Sequence, residues 1–454
     1  MSQRGQRDAL WSSLLRHAVL PAGDRVFSQR MMRRLRFLEE AQWWPREHVL
    51  ELRDQRLRAL VEVAYREVPF YRDLMRGRSL RPQHIAGAAD LSKLPVVTKA
   101  MLRAAYPERV TRPTGRRTYE ASTSGSTGTN FRVREDHETF GWYLASFMLA
   151  LEWAGWRMGE PQVQTGMNPE RSLSRRLKDA ALRCHYVSAR DLRDGHLDSV
   201  LDLIQRKGIR HLWGYPGSLY YLACRAEARG WDTPLRTAIT WGDMLHPQYR
   251  STIERVFGAR VNDTYGCGEG IQIAAQCDVA DGYHVHSLDV VVEYLDEAGE
   301  PVPVGESGDV VVTRLHPGPM PLIRYQVGDA AVGGGDRSCP CGRSFEMMER
   351  IEGRNADVVE TPSGNRLIVH FFTGILEYFP QIDTFQVVQN RPGAVVVRIV
   401  PAAGYDDEVG RAVATRLREA GADLEIAIEL VPEIPPTPGG KRRFVISELD
   451  GEAR

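Results

Sequence analysis

The sequence predicts an α/β protein: a large N-terminal α/β domain followed by a small, mobile C-terminal α+β domain. Three observations carry this. Strand-like and helical segments alternate through the middle of the chain, as in a sheet with helices on its faces. Residues 1 to about 90 read as helical, with apolar positions at three- and four-residue steps between many Arg and Glu. The last hundred residues repeat strand and helix signals on a smaller scale. A chain of 454 residues has length for two to four domains at roughly 100–200 residues each.

Taken in order, Val49–Tyr65 is helical and Val68-Pro69-Phe70-Tyr71 interrupts it. Thr98 is placed to cap a helix beginning at Lys99. Thr118-Tyr119-Glu120 and Phe131-Arg132-Val133-Arg134 read as short strands around a polar, glycine-rich run. Strands are expected at His211–Tyr215, Ala238–Trp241 and Arg260–Thr264, with helices at 218–229 and 246–256. Asp289–Leu295, a turn through Asp296-Glu297-Ala298-Gly299, and Asp309–Leu315 form a predicted hairpin. Beyond it, strands at Phe385–Val388 and Ala394–Val400 flank a turn, a helix covers about 406–419, and Leu424–Leu430 is a strand. The domain boundary falls near Gly353-Arg354-Asn355-Ala356-Asp357, giving an N-terminal domain of residues 1–352 and a C-terminal domain of 353–454.

Composition narrows the function. Fifty-nine basic residues balance fifty-nine acidic ones, so the excess of positive charge typical of nucleic-acid binding is missing. No apolar run approaches the roughly 20 residues that span a bilayer, and the N-terminus lacks the uninterrupted apolar core of a secretory signal. Six cysteines are too few for a disulfide scaffold. The expectation is a cytoplasmic protein without nucleic-acid or membrane partners. Lysine occurs at only five positions, Lys93, Lys99, Lys178, Lys207 and Lys441, in a chain whose other basic residues are arginine. Each lysine therefore merits separate scrutiny, because the two cations differ chemically.

Several weak motifs follow one another. Ser124-Gly125-Ser126-Thr127-Gly128 lies in a strand–loop–strand setting, where glycines let N–H groups turn inward around an anion and the hydroxyls add donors. It is not a Walker A loop, and Asn130 stands where a lysine would be expected. Tyr265-Gly266-Cys267-Gly268-Glu269 follows a strand. Arg324-Tyr325-Gln326-Val327-Gly328-Asp329, Gly353-Arg354 and Pro436-Thr437-Pro438-Gly439-Gly440-Lys441 complete the series. A Rossmann reading of Gly266-Cys267-Gly268 fails on spacing, since Ile271 occupies the third glycine position.

Cys339-Pro340-Cys341 and the upstream pair Cys277 and His284 have the two-pair organisation of a structural zinc site, with His286 as the alternative imidazole. Four protein ligands would leave no open position for water, so such a metal would clamp the fold.

In the order of its five motifs, from about Val68 to Arg443, the chain resembles the adenylate-forming ligases. Within them it is most similar to the phenylacetate–CoA ligase branch, which includes coenzyme F390 synthetase-like and CapK-like proteins. The resemblance extends to the Cys-x₆-His and Cys-x-Cys pairs. It implies that Ser124, Gly125, Ser126, Thr127 and Gly128 hold the ATP phosphates, that Tyr265 and Gly266 line the adenine, and that Gly242 and Asp243 belong to the nucleotide site. It implies that Asp329 accepts hydrogen bonds from the ribose with Arg324 or Arg354 nearby, and that Glu269 coordinates Mg²⁺. The segment Arg354–Asp357 would be a hinge, and Lys441 would reach the reacting carboxylate and α-phosphate. Without the other motifs Lys441 reads as a solvated loop cation. Cys267 reads as a packing or nucleotide-lining residue.

The acyl pocket implied by the resemblance draws on Trp142, Tyr143, Phe147, Trp213, Tyr215, Pro216, Trp241 and Gly242, with Tyr215 in Gly214-Tyr215-Pro216-Gly217-Ser218 the favoured contact. Large aromatics are core residues by default, so an aryl acid is one option among others. The implied reaction is ATP-dependent activation of a carboxylic acid as an acyl-adenylate, with transfer to coenzyme A. Capture by an amine is the alternative, and a non-catalytic nucleotide-binding relative the third. A homodimer is expected by analogy alone.

Overall fold

The computed structural model describes residues 10–27, 29–123, 131–167, 170–189, 191–279, 282–353, 359–363, 366–367, 369–376, 379–435, 444–447 and 449. Helices dominate the N-terminal region: Met31–Ala41, Arg46–Glu67, Pro69–Gly77 and Lys99–Ala105. The break at Val68 has a local cause. A residue before proline is driven out of the helical region, and Val68 is extended at φ −117° and ψ 106°. Pro69 then opens the next helix, where a missing N–H costs nothing. Thr98 caps the helix after it, its Oγ1 accepting from the Met101 N–H at 3.3 Å.

Strands β1 (Thr118–Thr123) and β2 (Phe131–Asp136) pair antiparallel, with Thr123 opposite Phe131. The phosphate-loop residues Ser124 to Gly128 connect these two strands and lie outside the described residues, as do Arg354 and Lys441.

The large sheet holds eleven strands: β3 (Gln162–Gly166), β4 (Cys184–Ser188), β5 (His211–Gly214), β6 (Thr237–Thr240), β7 (Val261–Cys267), β8 (Ile271–Ala275), β9 (Tyr283–Val285), β10 (Val290–Leu295), β11 (Ser307–Arg314), β12 (Tyr325–Gly333) and β13 (Met347–Gly353). Their spatial order is β10-β11-β12-β13-β9-β8-β7-β6-β5-β3-β4. From β4 to β7 neighbours run parallel, joined by helices Leu173–Ala181, Asp194–Lys207, Pro216–Ala228 and Pro247–Phe257. From β7 onward the pairs are antiparallel. The order reverses around β3, between β4 and β5, and a crevice at the carboxyl ends of the strands is expected at such a switch point.

The hairpin β10–β11 is longer-jointed than its turn residues imply. Asp296 Oδ1 accepts from the N–H groups of Ala298 and Glu300 at 2.9 Å each, and Val302 N–H donates back to Tyr294. The chain therefore folds over itself before β11 begins at Ser307.

The parallel half buries one apolar layer beneath its helices, including Leu201, Leu212, Leu222, Ile253 and Val261. The opposite face packs Trp153, Trp156, Trp213 and Leu149 from helix His137–Trp153 and its surroundings. At about 1.5–3 kcal/mol for each large apolar side chain buried, these layers dominate the folding energy.

The C-terminal part has its own core, in which Phe372, Val387, Val397 and Leu417 are inaccessible. Here β16 (Ile382–Arg391) and β17 (Ala394–Pro401) form a hairpin, β18 (Glu425–Leu430) extends it in parallel on one side and β19 (Val445–Ser447) on the other. Two short strands, β14 (Val359–Glu360) and β15 (Arg366–Leu367), precede it. Asp406 caps helix Asp407–Glu419, accepting from the N–H groups of Glu408 and Val409 at 3.0 Å each. Among the described residues, no helix is long and apolar enough to cross a membrane.

Candidate active site

The switch point is built by close approach. Thr165 at the end of β3 contacts Ser218 (Oγ1 to Oγ 2.8 Å) and accepts from the Tyr215 N–H at 3.3 Å. A Cβ on Gly214 would stand 1.8 Å from Thr165 Oγ1, so no other residue fits there. Pro216 opens the following helix and holds Tyr215 at its N-cap. The Tyr215 ring lies against Gly242, whose φ is +78° and whose Cβ, if present, would meet that ring at 2.8 Å. Tyr215 and Gly242 are thus together, with Asp243 next in chain and its Oδ1 accepting from the Met244 N–H at 2.9 Å.

Aromatic rings extend from there. Trp241 meets Phe147 edge-on at 5.8 Å and Trp213 at 6.3 Å, while Tyr143 stacks between Phe140 and Phe147. Trp213 is 4 % exposed and packed on Trp156. Trp142 is engaged elsewhere: His316 stacks on it at 3.9 Å, and the guanidiniums of Arg34 and Arg56 each sit 4.8 Å from its ring.

Past the end of β7 lies the polar centre. The Tyr265 hydroxyl donates to Asp329 Oδ2 at 3.0 Å, joining two residues 64 apart in sequence. Gly266 leaves room for the carbonyl of Ile271, which a Cβ would meet at 2.8 Å. Glu269 is buried, and its Oε1 takes both the Tyr325 hydroxyl at 2.6 Å and the Lys99 ammonium at 3.2 Å. Burial alone would raise this carboxyl. Lys99, Tyr325 and the Cys267 thiol outweigh it and hold Glu269 below the usual carboxylate range. Burial, reinforced by the charge on Glu269, pushes the Cys267 thiol up, so Cys267 is a neutral donor and not a thiolate nucleophile.

Lys99 is the site residue that motif reading passed over. Its arrival depends on a short bridge: Val97 N–H donates to the Arg324 carbonyl at 2.7 Å, and Gln326 N–H donates back to Val97 at 3.0 Å. Arg324 itself is buried at φ +49°. It meets Glu293 at 2.9–3.1 Å and the Leu94 carbonyl. Its guanidinium thus clamps the connector before Lys99 onto the sheet. The one available signal for Lys99 was its rarity as a lysine, together with the Thr98 cap.

A second cluster lies beyond β8. Cys277, His284, Cys339 and Cys341 place their ligand atoms within 4.8 Å of one another. Cys277 Sγ is 3.7 Å from Cys339 Sγ, and Cys341 Sγ is 3.3 Å from His284 Nε2. The N–H groups of Cys341 and Arg343 point at Cys339 Sγ and Cys341 Sγ, each at 3.5 Å. Three sulfurs and one imidazole at this spacing suit a tetrahedral zinc ion. His286 is carried away by the turn after β9 and stacks on Trp153 at 4.9 Å.

Comparison with known proteins supplies context. Residues 359–448 match the CapK C-terminal domain family. The phenylacetate–coenzyme A ligase of Thermus thermophilus is 25% identical, covering 90% of this chain and 98% of its own length. Protein CapK of Staphylococcus aureus is 22% identical over 88% of this chain and 90% of its own. Among solved structures, 2-hydroxyisobutyryl-CoA ligase in complex with 2-HIB-AMP and CoA superposes with a TM-score of 0.63 at 20% identity, covering 90% of this chain and 92% of that one.

Proposed function

Because the chain belongs to the phenylacetate–CoA ligase and CapK-like branch of the adenylate-forming ligases and is an AMP-forming ligase, we propose that it activates an apolar or aryl carboxylic acid as the acyl-adenylate and transfers the acyl group to coenzyme A. The observation that carries this reading is the Lys99–Glu269–Tyr325 centre beside the Tyr265–Asp329 pair, at the carboxyl end of β7.

In the first step a carboxylate oxygen of the acid bonds to the α-phosphorus of ATP, the bond to the bridging oxygen breaks, and pyrophosphate leaves. Both reactants are anions, so positive charge and oriented donors must meet the charge that builds up. Tyr265 and Asp329 would hold the adenosine. Lys99 already lies beside Glu269 and would face the phosphates. Glu269 would hold Mg²⁺, sharing its carboxylate with Lys99 or exchanging one cation for the other. Mg²⁺, when bound, offsets phosphate charge. Tyr215, Trp213 and Trp241 would enclose the acyl group, and their aromatic surroundings support an apolar or aryl acid. Residues 124–128 would hold the remaining phosphate oxygens. With the boundary at 352/353, the C-terminal domain would deliver Lys441, whose compact ammonium suits a moving point charge. Cys277, His284, Cys339 and Cys341 would bind zinc as a structural clamp.

The test is pyrophosphate release with ATP, Mg²⁺ and hydroxylamine across aryl, fatty and amino acids. Release with an aryl or apolar acid is expected, with Lys441→Ala lowering it by about 10²-fold or more. Release confined to polar acids would sink the substrate assignment, and near-normal release by Lys441→Ala would sink the role of that lysine. Replacing hydroxylamine by coenzyme A or by an amine then names the acceptor; turnover accelerated by the amine alone would reject thioester formation.

A further inference from the structure

Two buried rows of side chains each end in a charge. On the inward face of β2, Phe131 and Val133 are followed by Glu135; on β11, Val310 and Val312 are followed by Arg314, and all six are at most 3 % exposed. Alternation along a strand puts each row on one face of the sheet, where an apolar residue would complete it. Here the two charges meet instead: Arg314 Nη1 donates to Glu135 Oε1.

Arg314 reaches further. Its Nη2 donates to the Met320 carbonyl at 2.9 Å, and Nη1 lies 3.5 Å from the carbonyl of Glu269. One guanidinium therefore touches three segments: β2, the stretch that leads into Arg324 and Tyr325, and the turn that carries Glu269. That turn is tight, with the Gly270 N–H donating to the Cys267 carbonyl at 3.1 Å and Gly270 at φ +75°. A second link runs alongside. Phe131, at the start of β2, stacks on Tyr325, whose hydroxyl donates to the Glu269 carboxylate.

Folding stability does not explain the pair. Taking two charges out of water is costly, and well-packed apolar residues of similar volume often hold a fold as well or better. Arg314 Nε is moreover buried without a hydrogen-bond partner, so the guanidinium is not fully satisfied. What a planar guanidinium does supply is a rigid fork that holds several acceptors at fixed angles. Resting on the adenylation reading above, we propose that Arg314 is a positioning residue for that reaction. Paired with Glu135, it fixes the Glu269 turn against β2, so that the carboxylate expected to hold Mg²⁺ keeps its place relative to the strand that leaves the phosphate loop.

Two variants test this. Arg314→Lys keeps a buried charge for Glu135 but cannot span the three acceptors. Arg314→Met combined with Glu135→Leu removes both charges and completes both rows with apolar side chains. Calorimetric titration reads the Kd of ATP with Mg²⁺ and, separately, the Kd of adenosine, which the Tyr265–Asp329 pair would hold on its own. Both variants should weaken binding of ATP with Mg²⁺ about tenfold and leave the adenosine Kd within about twofold of the parent. A general loosening of the fold would weaken both ligands alike. Parental affinity for ATP with Mg²⁺ in either variant, an equal loss for ATP and adenosine, or a double variant that does not fold would overturn the inference. Failure of the adenylation reading itself shows differently: the parent would not bind ATP with Mg²⁺, and the inference would fall with it.

Discussion

The Glu269 centre and the Cys277–Cys341 cluster flank the same strand, β8, yet they solve burial in opposite ways. Glu269 is charge-balanced by the chain itself, through one ammonium, one phenol and one thiol. Its partners are side chains, which a metal ion and phosphates could replace. The cysteine cluster crowds three sulfurs and an imidazole with two backbone N–H groups as donors. Its ligands come from a strand, a strand end and a tight C-x-C turn, which cannot reorganise cheaply. A centre satisfied by side chains could change partners during a reaction; one that a bound cation would complete would be a fixed joint.

The strongest way to break this contrast is to remove the joint. Protein purified without chelator should carry one zinc per chain by atomic spectroscopy, and Cys339→Ser or prolonged chelation should lower the unfolding temperature by at least about 5 °C. Much less than one zinc per chain would make the cluster a set of free thiols. Next in size, Lys99→Met should lower kcat/KM for adenylation by about 10²-fold with little change in unfolding temperature. A loss of stability matching the loss of activity would make Lys99 structural, like the cysteines. Glu269→Gln should raise the Mg²⁺ concentration needed for half-maximal rate, and an unchanged Mg²⁺ requirement would remove its metal role.

The smallest effect is in pH. Glu269 has a depressed carboxyl, so its contribution to stability is complete above the ordinary value of 4.5 and is lost as the pH falls through its lowered one. Asp263, on β7, behaves oppositely. Burial pushes it up to about 6, although the Thr240 and Tyr283 hydroxyls both donate to it. Its contribution is complete below about pH 3.8 and is lost as the pH rises through 6. Asp263→Asn should therefore remove about 1–3 kcal/mol of pH-dependent stability between those values, and Glu269→Gln should flatten the acid limb instead. Parallel stability–pH curves for the two variants would show that partner chemistry does not set these charges.

How much of this was legible follows from the range of each signal. The Val68 break, the Thr98 cap, the β1–β2 pair and the β16–β17 hairpin are decided within a few residues, by proline sterics, a hydroxyl acceptor and alternating burial, and they stand where the sequence puts them. Tyr265 and Asp329, named from motifs 64 residues apart, meet in one hydrogen bond. Other residues are legible in kind but not in partner. Arg324 carries a motif, yet its guanidinium turns to Glu293 and Leu94, because a buried arginine at the start of β12 takes whatever acceptors the neighbouring connector offers. Trp142 reads as a pocket aromatic and is instead closed in by His316, Arg34 and Arg56.

The sequence by itself determined the α/β class, the order of the elements, the glycine positions that allow close approach, and the residue types able to carry adenylation and bind zinc. Those are local properties of the chain: periodicity, φ preference and donor chemistry. Only the tertiary structure decided that Lys99 reaches Glu269 across 170 residues and that His284 and not His286 turns toward the sulfurs. Such pairings depend on strand order and on which direction each turn exits, and those are settled by burial of whole faces of the sheet, to which no single stretch of sequence holds the key.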